Sequence, residues 1–118
     1  MIVMVFEFTA SVEHFDEYMR EAAALRPLLS GIRGFISIER FESKTTPGKF
    51  VSIGFFEDED AVREWRNLAE HRRVQQLGRA KLFENYRLRI ASVLRDYSMS
   101  SREQAPADSR LLHDSTEG

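Results

Sequence analysis

The chain has 118 residues, which is enough for one compact domain and too few for two. Hydrophobic residues make up 42% and charged residues 31%, as in ordinary globular proteins. The net charge of −2 comes from mixed acids and bases, so nothing indicates a nucleic-acid partner. Cysteine is absent, which excludes disulfides, thiolate nucleophiles and cysteine-based zinc sites. The opening MIVMVFEF lacks the basic region of a signal peptide, and no apolar run approaches the roughly 20 residues of a membrane span. We therefore expect a cytoplasmic protein that does not bind membranes.

The order of strand and helix signals predicts the fold. In chain order, they are a strand at 2–9, a helix from Ser11 to about Leu29, strands at 34–43 and 49–57, helices at about 59–66 and 68–82, and a last strand at 84–98. Gly31 suits the left-handed position just past the first helix. Pro47 and Gly48 suit the centre of a type II turn that joins the middle strands into a hairpin.

Two capping signals mark the helices after the hairpin. Asp58 or Asp60 can cap the first of them, where acidic side chains also meet the positive end of the helix. Asn67 with Glu70 three residues later resembles a capping box. This second signal predicts a bend between the two helices.

The last stretch of the chain differs from the rest in composition. Residues 99–118 are polar, and only Leu111 and Leu112 offer an apolar anchor. Such a segment buries too little apolar surface to offset the entropy of ordering it. We therefore divide the chain into a domain at 1–98 and a C-terminal tail at 99–118.

The order β-α-β-β-α-β is the split βαβ arrangement of ferredoxin-like domains, an α+β fold. Right-handed crossovers place both helical segments on one face of a four-stranded antiparallel sheet. The first and third strands are nevertheless apolar on both sides: Ile2, Met4, Phe6 and Phe8 against Val3 and Val5, and Phe50 and Phe56 against Val51, Ile53 and Phe55. Helices on one face leave the other exposed, with more apolar surface than soluble monomers usually tolerate. We therefore expect a homodimer in which a second copy covers this face.

Trp65 and His71 raise the question of a binding pocket. Trp65 is the only tryptophan of the chain, and it closes the helix that precedes the bend. On the following helix, His71, Val74 and Gly78 share one face, where the glycine permits a close backbone approach. The pair is either ordinary packing or the wall of a pocket, and spacing alone leaves both open.

The stretch SIGFFEDEDAVREWRNLAEHRRVQQLGR, with the later YRLRIASVLRDY, resembles the antibiotic biosynthesis monooxygenase (ABM) family. Shared features are a strand that ends in an acidic turn, a helix with a tryptophan, a bend followed by a histidine or tyrosine, and a last strand that ends in arginine and tyrosine. The resemblance covers most of residues 1–98 and implies a dimeric α+β barrel.

The resemblance also implies a monooxygenase that uses no metal, flavin or other cofactor. Its substrates would be O2 and an aromatic, quinol-like or polyketide small molecule. Carried over by position, His71 is the acid/base candidate, and Trp65 is a wall or hydrogen-bond donor. Asn67, Phe55 and Tyr86, within the matched stretch, are candidate substrate-binding residues.

Two other functions stay open. One is a non-catalytic dimeric domain on the same scaffold, either for small-molecule binding or related to stress, because a fold does not determine a function. The other is haem degradation, a branch of the family that uses an asparagine on the first strand and a histidine about one turn farther from the tryptophan. This chain has no asparagine before Asn67, and Gln75 lies nearer that later position than His71 does. No metal site is predicted.

Overall fold

The computed structural model describes residues 1–114, except the side chain of Ala69. Its helices and strands are β1 (Ile2–Ala10), α1 (Phe15–Ser30), β2 (Phe35–Glu42), β3 (Lys49–Phe56), α2 (Glu59–Asn67), α3 (Ala69–Leu77), β4 (Phe83–Ser92) and α4 (Ala107–His113). A 3₁₀ turn at Val12–His14 precedes α1, and a π-helical turn at Gly78–Leu82 follows α3. The four strands form one antiparallel sheet in the order β2-β3-β1-β4, which confirms the predicted ferredoxin-like α+β class. Within the described part of the chain, none of the helices has the length and apolarity that a bilayer crossing needs.

The core lies between the helices and the even-numbered side of β1. Met4 belongs to a buried cluster that includes Trp65 of α2, and Phe8 to a second one that includes Tyr18 of α1. The ring of Phe8 lies 4.9–5.6 Å, centroid to centroid, from four other rings: Phe6, Tyr18, Phe50 and Phe83. Aromatic packing of this kind stabilises the sheet–helix contact beyond the area that it buries.

The odd-numbered side of β1 lies on the opposite face of the sheet. Five apolar side chains share this face and are half-buried: Val3, Val5, Val51, Ile53 and Phe55. Beside them, Glu7 forms ion pairs with Lys49 at 3.8 Å and with Arg89 at 2.9 Å. The two-sided apolar pattern is therefore present in the sheet, and the homodimer that it suggests stays a prediction.

The glycine prediction at the end of α1 is wrong. Gly31 has φ −83, an ordinary right-handed value, and the left-handed residue is Gly34 with φ +91. The amide of Ile32 donates to the carbonyl of Leu29 at 3.1 Å, so the helical turn continues past Gly31. The chain reverses its twist only at Gly34, directly before β2. The hairpin glycine agrees with its prediction, since Gly48 has φ +78.

Of the predicted caps, only the one at Asp58 is present. Its carboxylate accepts from the amide of Ala61 at 2.9 Å and begins α2. The capping box at Asn67 is wrong: the residue before α3 is Leu68, no side chain caps that helix, and the Asn67 side chain accepts from Arg72 instead. Ser11 likewise makes no side-chain cap.

The last strand is shorter than the predicted 84–98. Ser92 pairs with Ile2 and the amide of Val93 donates to the carbonyl of Met1 at 3.0 Å, so β4 loses its neighbour where β1 begins. Beyond it, α4 is a short helix that the sequence did not predict. The side chain of Arg102 holds it through Asp114 at 3.0 Å and Ser109 at 2.9 Å.

The predicted anchors of the tail are exposed, Leu111 by 75% and Leu112 by 70%. Residues 115–118 of the predicted tail lie outside the described residues. The division of the chain at 98 and 99 stays a prediction.

Candidate active site

A cavity of about 400 Å³ lies between the sheet and the helical layer. Met4, Phe6 and Leu88 contribute apolar surface from the sheet, and Leu25 and Val74 contribute it from α1 and α3. Trp65 and His71 both line this cavity. A mostly apolar cavity with a few convergent polar groups is the usual form of a small-molecule site.

The tryptophan and the histidine form one stacked unit. Their ring centroids lie 4.1 Å apart, and the ring planes differ by 16°. On one straight helix, six residues of about 100° each would turn them roughly 120° apart. The chain instead breaks at Leu68, whose extended backbone (φ −62, ψ 135) separates α2 from α3. This break lets α3 return His71 to the buried indole.

A backbone hydrogen bond defines which nitrogen of His71 carries the proton. Nδ1 lies 3.1 Å from the carbonyl oxygen of Trp65. Because a carbonyl only accepts, Nδ1 is the donor and Nε2 carries the lone pair of the neutral ring. Among the described residues, Nε2 has no hydrogen-bond partner. Burial lowers the pKa of His71, and the Trp65 carbonyl opposes that shift in part. The ring is therefore neutral, with Nε2 ready to accept a proton at neutral pH.

The rest of α3 agrees with its predicted inward face. Val74 and Gly78 are buried, and a Cβ built on Gly78 would lie 2.6 Å from the ring of Phe83. The close approach predicted for this glycine is therefore present. It brings the π-helical turn down onto Phe83 of β4, which lines the cavity.

Of the three residues predicted to bind substrate, one lines the cavity. Tyr86 does so, and its hydroxyl accepts a hydrogen bond from Arg79, another lining residue. Phe55 lies on the opposite face of the sheet, because side chains alternate along β3 and its neighbour Phe56 is in the core. Asn67 is exposed at the end of α2 and is engaged by Arg72. The structure thus does not bring Phe55 or Asn67 to the cavity.

The sequence reasoning missed most of the polar residues that line the cavity, among them Tyr18, Arg40 and Ser52. The carbon of the Arg40 guanidinium lies 5.2 Å from the centre of the Tyr18 ring, and Arg40 pairs with Ser52 across β2 and β3. Burial raises the pKa of Tyr18, against the influence of the Arg40 cation, so its phenol stays protonated. For Arg40 and Ser52, the available signal was a polar side chain at a strand position that faces the helices.

The described residues contain no group of three or more histidine, cysteine, aspartate or glutamate side chains that could hold a metal ion. His71 is the one imidazole that lines the cavity. The groups that line the cavity offer a proton acceptor at Nε2 of His71, hydrogen bonding by tyrosine and arginine, and apolar walls.

A ferredoxin-like sheet covered by helices, with a mostly apolar cavity between the two layers and an indole–imidazole pair in its lining, defines the class: an α+β protein with a cavity of small-molecule size. Residues 1–77 match the sequence profile "Antibiotic biosynthesis monooxygenase", and the chain belongs to this family. Over 93 residues it is 38% identical to "Jasmonate monooxygenase ABM" of Pyricularia oryzae, which covers 79% of this chain. The chain spans less than half of that relative, 43% of its length.

Solved structures share the fold. One is a putative antibiotic biosynthesis monooxygenase from Deinococcus radiodurans, with a TM-score of 0.74, 12% identity, and coverage of 84% of this chain and 98% of that one. Another is SnoaB, a cofactor-independent oxygenase from Streptomyces nogalater, with a TM-score of 0.68, 16% identity, and coverage of 80% and 94%. At such identities the likeness establishes the fold alone. The family's description and the name of the Pyricularia oryzae relative both refer to monooxygenases.

Proposed function

We propose that this protein is a cofactor-independent monooxygenase that oxygenates an aromatic, quinol-like or polyketide small molecule in the cavity beside Trp65 and His71. The observation that carries the proposal is the state of His71: neutral, half-buried, with Nδ1 tied to a backbone carbonyl and Nε2 unpartnered among the described residues. A general base needs this combination. The cytoplasm stays the predicted location, because a chain without cysteine does not depend on disulfides.

The reaction balances without an external reductant. Nε2 removes a proton from an acidic C–H of a substrate R₂CH₂, and the resulting carbanion passes one electron to O2. The two radicals combine to R₂CH–OO⁻, which recovers the proton from the imidazolium. Loss of water from the hydroperoxide gives the ketone, so that R₂CH₂ + O2 becomes R₂C=O + H2O. The substrate supplies all the electrons that reduce the second oxygen atom.

The surroundings of His71 support the proton transfer. The imidazolium that forms in the first step is stacked on the indole of Trp65, whose ring attracts a cation. The Nδ1–H bond to the Trp65 carbonyl becomes stronger when the ring is charged, because charge-assisted hydrogen bonds are the strong ones. Phenol and guanidinium groups from Tyr18, Arg40 and Arg79 offer donors for the enolate oxygen that develops.

Oxygen uptake tests the proposal. Purified protein, dialysed against chelator, is given dithranol (an anthrone), a naphthoquinol and jasmonate in turn, and O2 consumption is recorded with an electrode. Reaction under ¹⁸O2 should place one labelled atom in the organic product and one in water. The His71→Asn variant serves as the control for reaction catalysed by the solution alone.

The outcomes separate the monooxygenase from the non-catalytic binding domain. Turnover of any of these compounds by the wild type, lost in the variant, supports the monooxygenase. Tight binding of one of them to the cavity without O2 uptake would overturn it in favour of the binding domain.

A further inference from the structure

Arg40 enters the cavity from the sheet and not from a solvent-exposed helix. It stands on β2 opposite the buried Ser52, which places it on the helical side of the sheet. There its guanidinium lies over the ring of Tyr18, and Nη1 lies 4.0 Å from the sulfur of Met19. The side chain is itself mostly withdrawn from solvent.

The hydrogen-bonding capacity of this guanidinium is not satisfied within the described residues. The Nε atom is fully buried and has no hydrogen-bond partner. A thioether is a weak acceptor and a ring face accepts only weakly, whereas a guanidinium carries five N–H donors. Arg40 is partly buried, and a cation withdrawn from solvent without an anionic partner costs free energy that a bound anion would offset.

The other guanidinium groups of the cavity are also without a carboxylate. Arg26 donates to the carbonyl of Ile38 at 3.4 Å, and Arg79 donates to the hydroxyl of Tyr86. Elsewhere in the described chain, Arg73 and Arg89 pair with glutamates at 2.7 and 2.9 Å. No such ion pair forms among the described residues at any of the three arginines that line the cavity.

One acidic residue, Glu39, also borders the cavity. In the strand register it pairs with Ile53, whereas Arg40 pairs with Ser52. Side chains alternate along a strand, so Glu39 belongs to the opposite face of the sheet. It does not neutralise the arginines.

We propose that the cavity selects an apolar molecule that carries a carboxylate, and that Arg40 is the residue that binds this carboxylate, with Arg79 and Arg26 adding to the positive field. Arginine is suited to the task because its planar fork matches the two oxygens of a carboxylate. The inference rests on the proposed function, since it describes the substrate of the same cavity. It adds a substrate class that an apolar cavity with one base would not by itself specify.

Binding of a matched acid and ester tests this without any need for turnover. The probes are anthraquinone-2-carboxylate and its neutral methyl ester, titrated into the whole protein by calorimetry, with quenching of the single tryptophan as a second signal. The acid should bind about 10–100-fold more tightly than the ester, the usual worth of one charged hydrogen-bonded pair. In Arg40→Gln that preference should fall to within about threefold, through weaker binding of the acid and unchanged binding of the ester.

Arg33→Gln is the matched control, because Arg33 is exposed in the turn before β2, lies outside the cavity lining and carries the same charge. It should keep the full preference for the acid. Arg79→Gln provides a second cavity variant in case Arg40→Gln fails to fold, and it should reduce the preference in part.

Two results would overturn the inference. One is equal binding of the acid and the ester to the wild type, and the other is a preference for the acid that survives in both cavity variants. Either result would leave the monooxygenase proposal standing. Conversely, an Arg40-dependent preference for the acid in a protein that consumes no O2 would support the carboxylate site and refute the monooxygenase.

Discussion

Replacement of His71 by asparagine isolates the proton acceptor from the rest of the site. The amide N–H of asparagine can reach the Trp65 carbonyl in place of Nδ1–H, which lies 3.1 Å from it, but nothing replaces the lone pair at Nε2. Loss of a positioned base should lower kcat/KM by roughly 10²–10⁴-fold, or about 3–5 kcal/mol of barrier. The folded variant should lose only the stacking of the His71 ring on Trp65 at 4.1 Å, so its free energy of unfolding should fall by about 0.5–1.5 kcal/mol.

The pH dependence gives a second signature of the same group. Burial lowers the pKa of His71, so kcat/KM should rise through a value below the about 6.5 of an ordinary histidine and stay level above it. The free energy of unfolding should also rise with pH in this range, because the unfolded chain binds a proton at His71 more readily than the folded chain does. The contribution of His71 is therefore complete above about pH 6.5 and is lost as the pH falls through its lowered pKa. His71→Asn should abolish the acid limb of activity and flatten this part of the stability curve.

Oxygen-electrode rates between about pH 5 and 8 and urea titrations over the same range measure both effects. His14→Asn is the matched control, because His14 lies on the 3₁₀ turn before α1 and does not line the cavity. It should keep wild-type rates. An His71→Asn variant that folds normally and turns over within about threefold of the wild type would refute the assignment of His71 as the base.

Four further predictions concern packing, assembly and cofactors. Gly78→Ala should lower the free energy of unfolding, measured in urea, by about 1–3 kcal/mol, because the new Cβ would lie 2.6 Å from the Phe83 ring. Gly31→Ala is the control and should be near neutral, because the nearest atom to its Cβ lies at 3.5 Å. Equal effects of the two substitutions would contradict the packing argument. Sedimentation should give about twice 13.7 kDa, and a monomer at micromolar concentration would refute the homodimer. Deletion of residues 99–118 should leave the melting temperature within a few degrees of the wild type. Loss of the dimer on deletion would show instead that the tail holds the two subunits together. Protein purified without added ligand should show no Soret band and no stoichiometric metal; a band that shifts in His71→Ala would restore the haem-degrading function.

The element order and the sheet were predictable because they depend on local pattern. Period-two apolar runs formed strands close to their predicted limits, for example Lys49–Phe56 against 49–57. The turn at Gly48 and the cap at Asp58 depend on neighbours within a few residues, and both are present. The end of β4 was missed because it depends on where a distant strand begins to pair.

The candidate site was predictable only in part. The sequence by itself determined the fold class and the two-sided apolar sheet, since both follow from residue type and period. Only the tertiary structure decided that the break at Leu68 stacks His71 on Trp65, that Gly78 packs against Phe83, and that Arg40 lies beneath α1 without an ion-pair partner among the described residues. The physical reason is that burial, stacking and charge pairing depend on which side chains meet across elements far apart in the chain. On a strand, a shift of one residue in the pairing register moves a side chain from the cavity to the opposite face of the sheet.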